Sequence, residues 1–228
     1  MSIKEGSLYN VSVMKKMLFI AGIGTEVGKT TLTTQLLSVA RTQNMPWQGI
    51  KPLISGWTEH NSDTHRILEA QGWPITPNTI QAISPWRYTA PISIIQAAEA
   101  EGRTHTFSEL VQFCQRTFSK IEGTLLIESA GGLMSPITYR ETNLDWLMAL
   151  NCDCILVSRH YLGSIHHTLT SLAALRERGL TPLCIAVHEY SEDMQLLYRG
   201  FTNVPLYPMR EIYHVVNRHF YSEHSVTG

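Results

Sequence analysis

Residues 22–30 read Gly22-Ile23-Gly24-Thr25-Glu26-Val27-Gly28-Lys29-Thr30, directly behind the apolar run Met17-Leu18-Phe19-Ile20-Ala21. Apolar residues then return at Leu32, Leu36, Val39 and Ala40, which is helical spacing. A strand, a glycine-bearing loop and a helix opening on Lys-Thr form the setting of a phosphate-binding loop. The N–H groups of such a loop, with the helix N-terminus, turn donors and partial positive charge toward phosphate oxygens. Lys29 adds a full charge at the β- and γ-phosphates, and the Thr30 hydroxyl is placed to ligate magnesium. The sequence therefore predicts binding of a nucleoside triphosphate. The plainer alternative, a βα turn that happens to contain Gly-Lys-Thr, fits the flanking strand and helix less well.

Gly22 lies six residues before Gly28, one more than the common spacing of this motif. The loop is a longer variant, with Thr25 and Glu26 at its tip. A hydroxyl and a carboxylate are not needed there to hold phosphate. They are placed to touch whatever accepts or attacks the γ-phosphoryl group.

At 228 residues the chain suits one α/β domain with a sizeable core. A net charge of −1 and the lack of a basic run argue against nucleic acid or a membrane surface as the main partner. No apolar stretch approaches the length of a membrane span. Residues 1–16 lack a cationic start followed by an apolar segment, so no secretory signal is expected there. They read as an N-terminal extension, with Met14 and Met17 as alternative starts ahead of a domain over 17–228. Cys114, Cys152, Cys154 and Cys184 have neither metal-site nor disulfide-framework spacing, and read as reduced core thiols of a cytoplasmic protein.

Apolar strand candidates recur at 17–21, 49–53, 125–128, 154–157, 183–187 and, more weakly, 204–207. Helical patterns separate them at 31–41, 62–71, 92–101, 107–121, 144–150, 164–178 and 192–199. This alternation predicts a single-domain parallel sheet with helices on both faces, of the P-loop NTPase type. The proline- and aromatic-rich stretch 73–91 reads as a long ordered connection, placed to cover the site. Ligands of such sheets sit at the carboxyl ends of the strands, and here those ends are polar.

Lys51-Pro52-Leu53-Ile54-Ser55-Gly56 closes the second strand. Lys51 is either a solvated edge lysine or an ammonium facing the phosphate loop, with the Ser55 hydroxyl beside it. Asn61-Ser62-Asp63-Thr64 precedes a helical pattern, so Ser62 or Asp63 is a helix cap, or else Asp63 approaches the magnesium ion of Thr30. Glu128, with Ser129, Ala130, Gly131 and Gly132 behind it, ends a buried-looking strand as a magnesium-holding carboxylate does in phosphate-loop enzymes. The glycines let the backbone approach a ligand closely. His166-His167, with no carboxylate at metal spacing, read as capping or packing groups.

Taken in order, these segments resemble the dethiobiotin synthetases, ATP-dependent enzymes of biotin synthesis. The resemblance rests on GIGTEVGKT at 22–30, KPLISG at 51–56, NSDT at 61–64, SPWRYTAPIS at 84–93, IESAGGLMSPI around Glu128, LDWLMALNCDCILV at 144–157 and LGSIHHTLTSLAALRERGL at 162–180. It runs from about Met17 to Leu180 and fades beyond. It implies that 7,8-diaminononanoate takes up CO2 on one amine, that ATP and Mg2+ phosphorylate the carbamate, and that the second amine closes a cyclic urea. It implies a cytoplasmic homodimer. Carried over, Lys51, Lys29 and Thr25 do the catalytic work, and Thr25 and Ser55 touch the diamine or carbamate. Thr30, Asp63 and Glu128 surround magnesium. The nucleotide lies against Gly24, Thr25, Glu26, Val27, Gly28, Lys29, Thr30, Asp63, Glu128, Ser129, Ala130 and Gly131. The same carry-over puts its base near His188, Glu189, Pro208, Met209 and Arg210.

The chain also departs from the family's pattern. His188-Glu189 stand where an Asn-Asp pair usually contacts adenine, and His166 replaces an asparagine. Ser158-Arg159-His160-Tyr161 precedes Leu-Gly, in a region that bears on the substrate carboxylate. Arg159 and His166 are the candidates for that carboxylate. Three rival readings remain from sequence. A partition-type ATPase switch would carry an extra lysine early in the loop, and residues 22–27 contain none. An amidating synthase would need a glutaminase domain, for which there is no length. A nucleotide-binding but inactive relative is the third.

Overall fold

The computed structural model describes residues 15–221. The expected extension over residues 1–16 lies outside them but for its last two residues, and Lys16 already belongs to the first strand. In chain order the elements are β1 (Lys16–Gly22), α1 (Lys29–Thr42), β2 (Gln48–Ile50), β3 (Leu53–Ser55), α2 (Asp63–Ala70), α3 (Pro77–Ile83) and β4 (Trp86–Tyr88). Then follow α4 (Ile94–Ala100), α5 (Phe107–Lys120), β5 (Thr124–Glu128), α6 (Asn143–Leu150), β6 (Asp153–Arg159) and α7 (Ser164–Glu177). The last described elements are β7 (Ile185–His188), α8 (Glu192–Arg199), β8 (Leu206–Pro208), a 3-10 turn (Met209–Glu211) and α9 (Ile212–Tyr221).

Six strands form one parallel sheet in the order β2-β5-β1-β6-β7-β8. β1 lies in the middle and is apolar on both faces, with Leu18, Phe19, Ile20 and Ala21 all fully buried. An unbroken apolar run suits a strand covered on both sides. Crossovers send the chain from β1 to β2 and from β5 to β6, and the usual right-handed connection places their helices on opposite faces. Accordingly α1 packs against α2 and α9, and α5 against α6. Trp146 of α6 meets the edge of Phe19 at 5.1 Å and 88°. A smaller apolar cluster of Ile185, Val187, Met194, Tyr198 and Leu206 supports the β7–β8 edge.

The strand expected over 49–53 is two strands in different sheets. Pro52 has no N–H to give a ladder, so the chain leaves β5 after Ile50 and pairs β3 with β4 in a separate two-stranded parallel sheet. Lys51 N donates to Ile83 O at 3.1 Å and Trp86 N to Pro52 O at 3.1 Å, which fixes the junction. The stretch 73–91 is correspondingly more than a connection. It holds α3, begun by Pro77 behind a Thr76 cap that accepts from Thr79 N, and β4. The C-terminal helix α9 also has no counterpart among the sequence expectations. Its Ile212, Val216 and Phe220 are buried at helical spacing.

Candidate active site

The carboxyl ends of β1, β2 and β5 and the start of α2 surround a cleft of about 420 Å³. It is lined by Thr25, Glu26, Gly28, Lys29, Thr30, Lys51, Ser55, Asp63, Glu128, Ala130 and Gly131, and also by Arg66, which the sequence did not single out.

The loop 22–28 holds its shape through close backbone approach. A Cβ on Gly22 would lie 2.9 Å from both Gly24 O and Lys29 Nζ. Gly28 has φ +100° and faces Met209 and His188, whose atoms would stand 2.8 and 3.1 Å from a Cβ there. Glu26 takes the left-handed region at φ 57°, an uncommon conformation for a side-chain-bearing residue, of the kind found at ligand-binding turns. Val27 is buried and anchors the loop tip to the core.

Lys29 is 6% exposed and donates to Gly24 O at 2.7 Å. Burial and then the nearby Lys51 charge push its pKa down to about 8. Lys51 is also buried, and donates to Asp63 and, at 2.9 Å, to Glu128 Oε1. Burial opposes its charge, but the Glu128 and Asp63 carboxylates outweigh that and raise its pKa. The same contact holds the Asp63 carboxyl below its usual range, against the burial that would raise it. Thr30 donates to Glu128 Oε1 at 2.6 Å. Lys51 is thus no solvated edge lysine. The cap ahead of α2 is Ser62, paired with His65, and not Asp63.

The groups fit a magnesium ion. Thr30 spends its one proton on Glu128 and keeps both lone pairs. Glu128 is fully buried and its Oε2 has no hydrogen-bond partner among the described residues. One hydroxyl and two carboxylates are hard oxygen donors of the kind Mg2+ takes alongside phosphate oxygens. Among the described residues no group of three His, Cys, Asp or Glu side chains converges as an all-protein metal cage would require.

The loop after β5 is pinned by Asn143, whose Nδ2 donates to Ala130 O at 2.6 Å and to Gly132 O at 2.8 Å. Leu133 N donates to Gly22 O at 2.7 Å, so this loop and the phosphate loop brace each other. Ser129 lies beneath, fully buried, with its backbone N–H on Ile20 O. Asn143 was not among the expected residues. Its only sequence signal is a place between Thr142 and Asp145, which cap α6 reciprocally.

The residues expected around a base lie outside this cleft. His188 and Met209 back onto Gly28 from behind the loop. Pro208 is the last residue of β8, and Arg210 is exposed beside a shallow groove formed with Gln35, Val39 and Tyr213. Glu189, at φ 61°, is paired with Arg159 at 3.0 Å. His166 and His167 are exposed rather than packed. Neither caps α7, whose cap position is Gly163 at φ 97°, and His167 Nδ1 shares a proton with Tyr161 Oη at 2.7 Å.

Residues 16–219 match a family model described as an AAA domain. The chain is 41% identical over 180 residues to the ATP-dependent dethiobiotin synthetase BioD of Methylobacterium nodulans, covering 75% of this chain and 80% of that protein. The protein of the same name from Phenylobacterium zucineum is 36% identical over 201 residues, covering 83% and 86%. Among solved structures, the MinC:MinD cell division protein complex of Aquifex aeolicus aligns with TM-score 0.54 at 13% identity over 91% of this chain and 87% of that one. A ParA family ATPase of Chlorobium tepidum aligns at 0.53 and 10%, covering 88% and 90%. At such identities these two likenesses concern the fold alone.

Proposed function

We propose a division of labour among these residues from one premise: the chain belongs to the ATP-dependent dethiobiotin synthetase family. It is an ATP-dependent cyclo-ligase that forms dethiobiotin. The observation that carries the residue assignment is the convergence of Lys29, Thr30, Lys51, Asp63 and Glu128 on one cleft at the strand ends.

The substrate is 7,8-diaminononanoate, carboxylated on one amine by CO2. A carbamate is a weak nucleophile, and its approach to the γ-phosphorus brings two anions together. Lys29 turns from the Gly24 carbonyl to the β- and γ-phosphates, and Lys51 neutralises charge shared by carbamate and transferring phosphoryl. Thr30, Asp63 and Glu128 hold Mg2+, which when bound offsets phosphate charge as a Lewis acid. Thr25 at the loop tip and Ser55 at the end of β3 orient the diamine or carbamate, and holding the reactants in line supplies much of the rate. The nucleotide runs along Gly24, Glu26, Val27 and Gly28, with Ala130 and Gly131 on the opposite wall and Ser129 buried beneath them. His188, Glu189, Pro208, Met209 and Arg210 flank its base.

The protein acts as a cytoplasmic homodimer in this reading. Its cysteines are free, and burial raises the thiols of Cys152, Cys154 and Cys184 to about 12, which suits inert thiols in a reducing compartment. Tyr161 and the wholly exposed Leu162, just ahead of α7, offer an apolar contact for a second copy.

The deciding assay supplies diaminononanoate, bicarbonate, Mg2+ and ATP, and follows phosphate release with and without the diamine. Diamine-dependent release with formation of dethiobiotin is the expected result. Release that ignores the diamine identifies a switch ATPase instead, and no release identifies an inactive relative.

A further inference from the structure

The two carboxylates that fit a divalent ion are already engaged by a cation of the chain. Lys51 Nζ bridges Asp63 and Glu128, and Thr30 donates to the same Glu128 oxygen that Lys51 reaches. The side chains of Lys51 and Glu128 are 10% and 0% exposed, so their attraction is little screened by salt. The lysine backbone is fixed by its bond to Ile83 O, which leaves the four-carbon stem as the part free to move. A magnesium ion needs carboxylate oxygens at roughly 2.0–2.1 Å. An ammonium inside the same notch would then stand a few ångströms from a doubly charged ion in a poorly solvated site, where like charges repel strongly.

We propose that Lys51 and the divalent cation exclude each other from the notch between Asp63 and Glu128, so that metal loading is the event that delivers the Lys51 ammonium to the reacting oxygens. The proposal rests on the reading of Thr30, Asp63 and Glu128 as the metal-holding set. Before loading, the lysine keeps Glu128 paired, since a buried carboxylate without a counter-charge is costly. Loading leaves the ammonium in need of a new anionic partner, which the nucleotide phosphates supply. Metal and nucleotide therefore strengthen each other's binding through this one side chain, and that coupling is reciprocal.

The test uses Mn2+ as the probe, followed by the electron paramagnetic resonance of the free ion, without nucleotide. Lys51→Met is expected to bind Mn2+ about tenfold tighter than the wild type, and adding Glu128→Gln is expected to abolish the gain. Equal affinity in wild type and Lys51→Met, weakened in both by Glu128→Gln, overturns the exclusion while leaving the metal ligands standing. No effect of Glu128→Gln in either background overturns the ligand reading as well. If Lys51→Met does not fold, pulsed reductive methylation of the wild type decides the matter. Labelling of Lys51 is expected to rise several-fold with millimolar Mg2+ while that of exposed Lys120 stays constant, and unchanged Lys51 labelling overturns the proposal.

Discussion

Arg159 Nη2 stands 3.0 Å from Glu189 Oε1, tying the last residue of β6 to the residue just beyond β7. Both side chains are about half exposed, and such pairs contribute only ~0–1 kcal/mol. Arg159→Ala is therefore expected to leave the urea midpoint nearly unchanged. Its effect falls on the nucleotide, because Glu189 follows His188, which backs onto Gly28. The KM for ATP is expected to change several-fold while that for the diamine does not. A shift in the diamine KM alone would instead favour Arg159 as the carboxylate binder the sequence suggested.

Glu128 answers two different substitutions differently. Glu128→Gln keeps the shape but removes the charge that Thr30 and Lys51 address, and is expected to lower kcat by about 10²–10³, the scale of losing one preorganised electrostatic partner. Glu128→Ala strips Lys51 of a buried partner and is expected to cost ~3–5 kcal/mol of stability as well. Phosphate release and urea unfolding separate the two effects. A Glu128→Gln protein with undiminished turnover would remove Glu128 from the site.

Gly22 is required by proximity. An alanine Cβ would meet Gly24 O and Lys29 Nζ at 2.9 Å, and overpacking of this kind costs about 1–3 kcal/mol. Because the clash displaces Lys29 and the loop together, ATP binding measured by calorimetry is expected to weaken by more than the loss of stability. Unchanged ATP affinity in Gly22→Ala would contradict the position given to Lys29.

His105 carries the pH dependence of stability outside the site. Its Nε2 lies 2.8 Å from Ile137 O, an acceptor, so that nitrogen holds the proton and Nδ1 accepts from Tyr88 Oη at 2.8 Å. Burial lowers its pKa below 6.5, more than the Ile137 carbonyl raises it. The unfolded chain thus takes up a proton first as pH falls, and stability is lost below about pH 6.5. His105→Gln is expected to flatten the fall in urea midpoint between roughly pH 7.5 and 5.5. The same slope in both proteins would rule His105 out as its source.

Leu162 is the most exposed large apolar residue of the described chain. In the homodimer proposed above, Leu162→Glu is expected to give a monomer in sedimentation experiments without altering the fold by circular dichroism. An unchanged dimer would move the contact elsewhere.

The phosphate loop is legible in sequence because its determinants are local: an apolar strand, close glycines and a helix start within a short run. Alternating apolar segments likewise reveal the parallel sheet. The handover at Pro52 is written in the sequence too, yet a three-residue strand on either side is too short for periodicity to separate. β4 and α3 vanish into an apparent connection for the same reason, although Thr76-Pro77 carries a start signal. What no local pattern contains is the meeting of Lys51 with Glu128, 77 positions away. Nor does it contain the bracing of Ala130 and Gly132 by Asn143, which only the assembled sheet creates.

The parting of the chain at Pro52 leaves β3 and β4 as a two-stranded ladder of their own, apart from the six-stranded sheet. Ser55 rides on that small platform, whereas Glu128 ends a strand of the large one and Lys29 and Thr30 open the helix that follows its central strand β1. Changes confined to the β3–β4 ladder can therefore shift Ser55 without breaking a rung of the sheet beneath the triphosphate, whereas Asp63 of α2 stays tied to Lys51. A lineage built this way is free to diverge in what it modifies while keeping the engine that drives the modification.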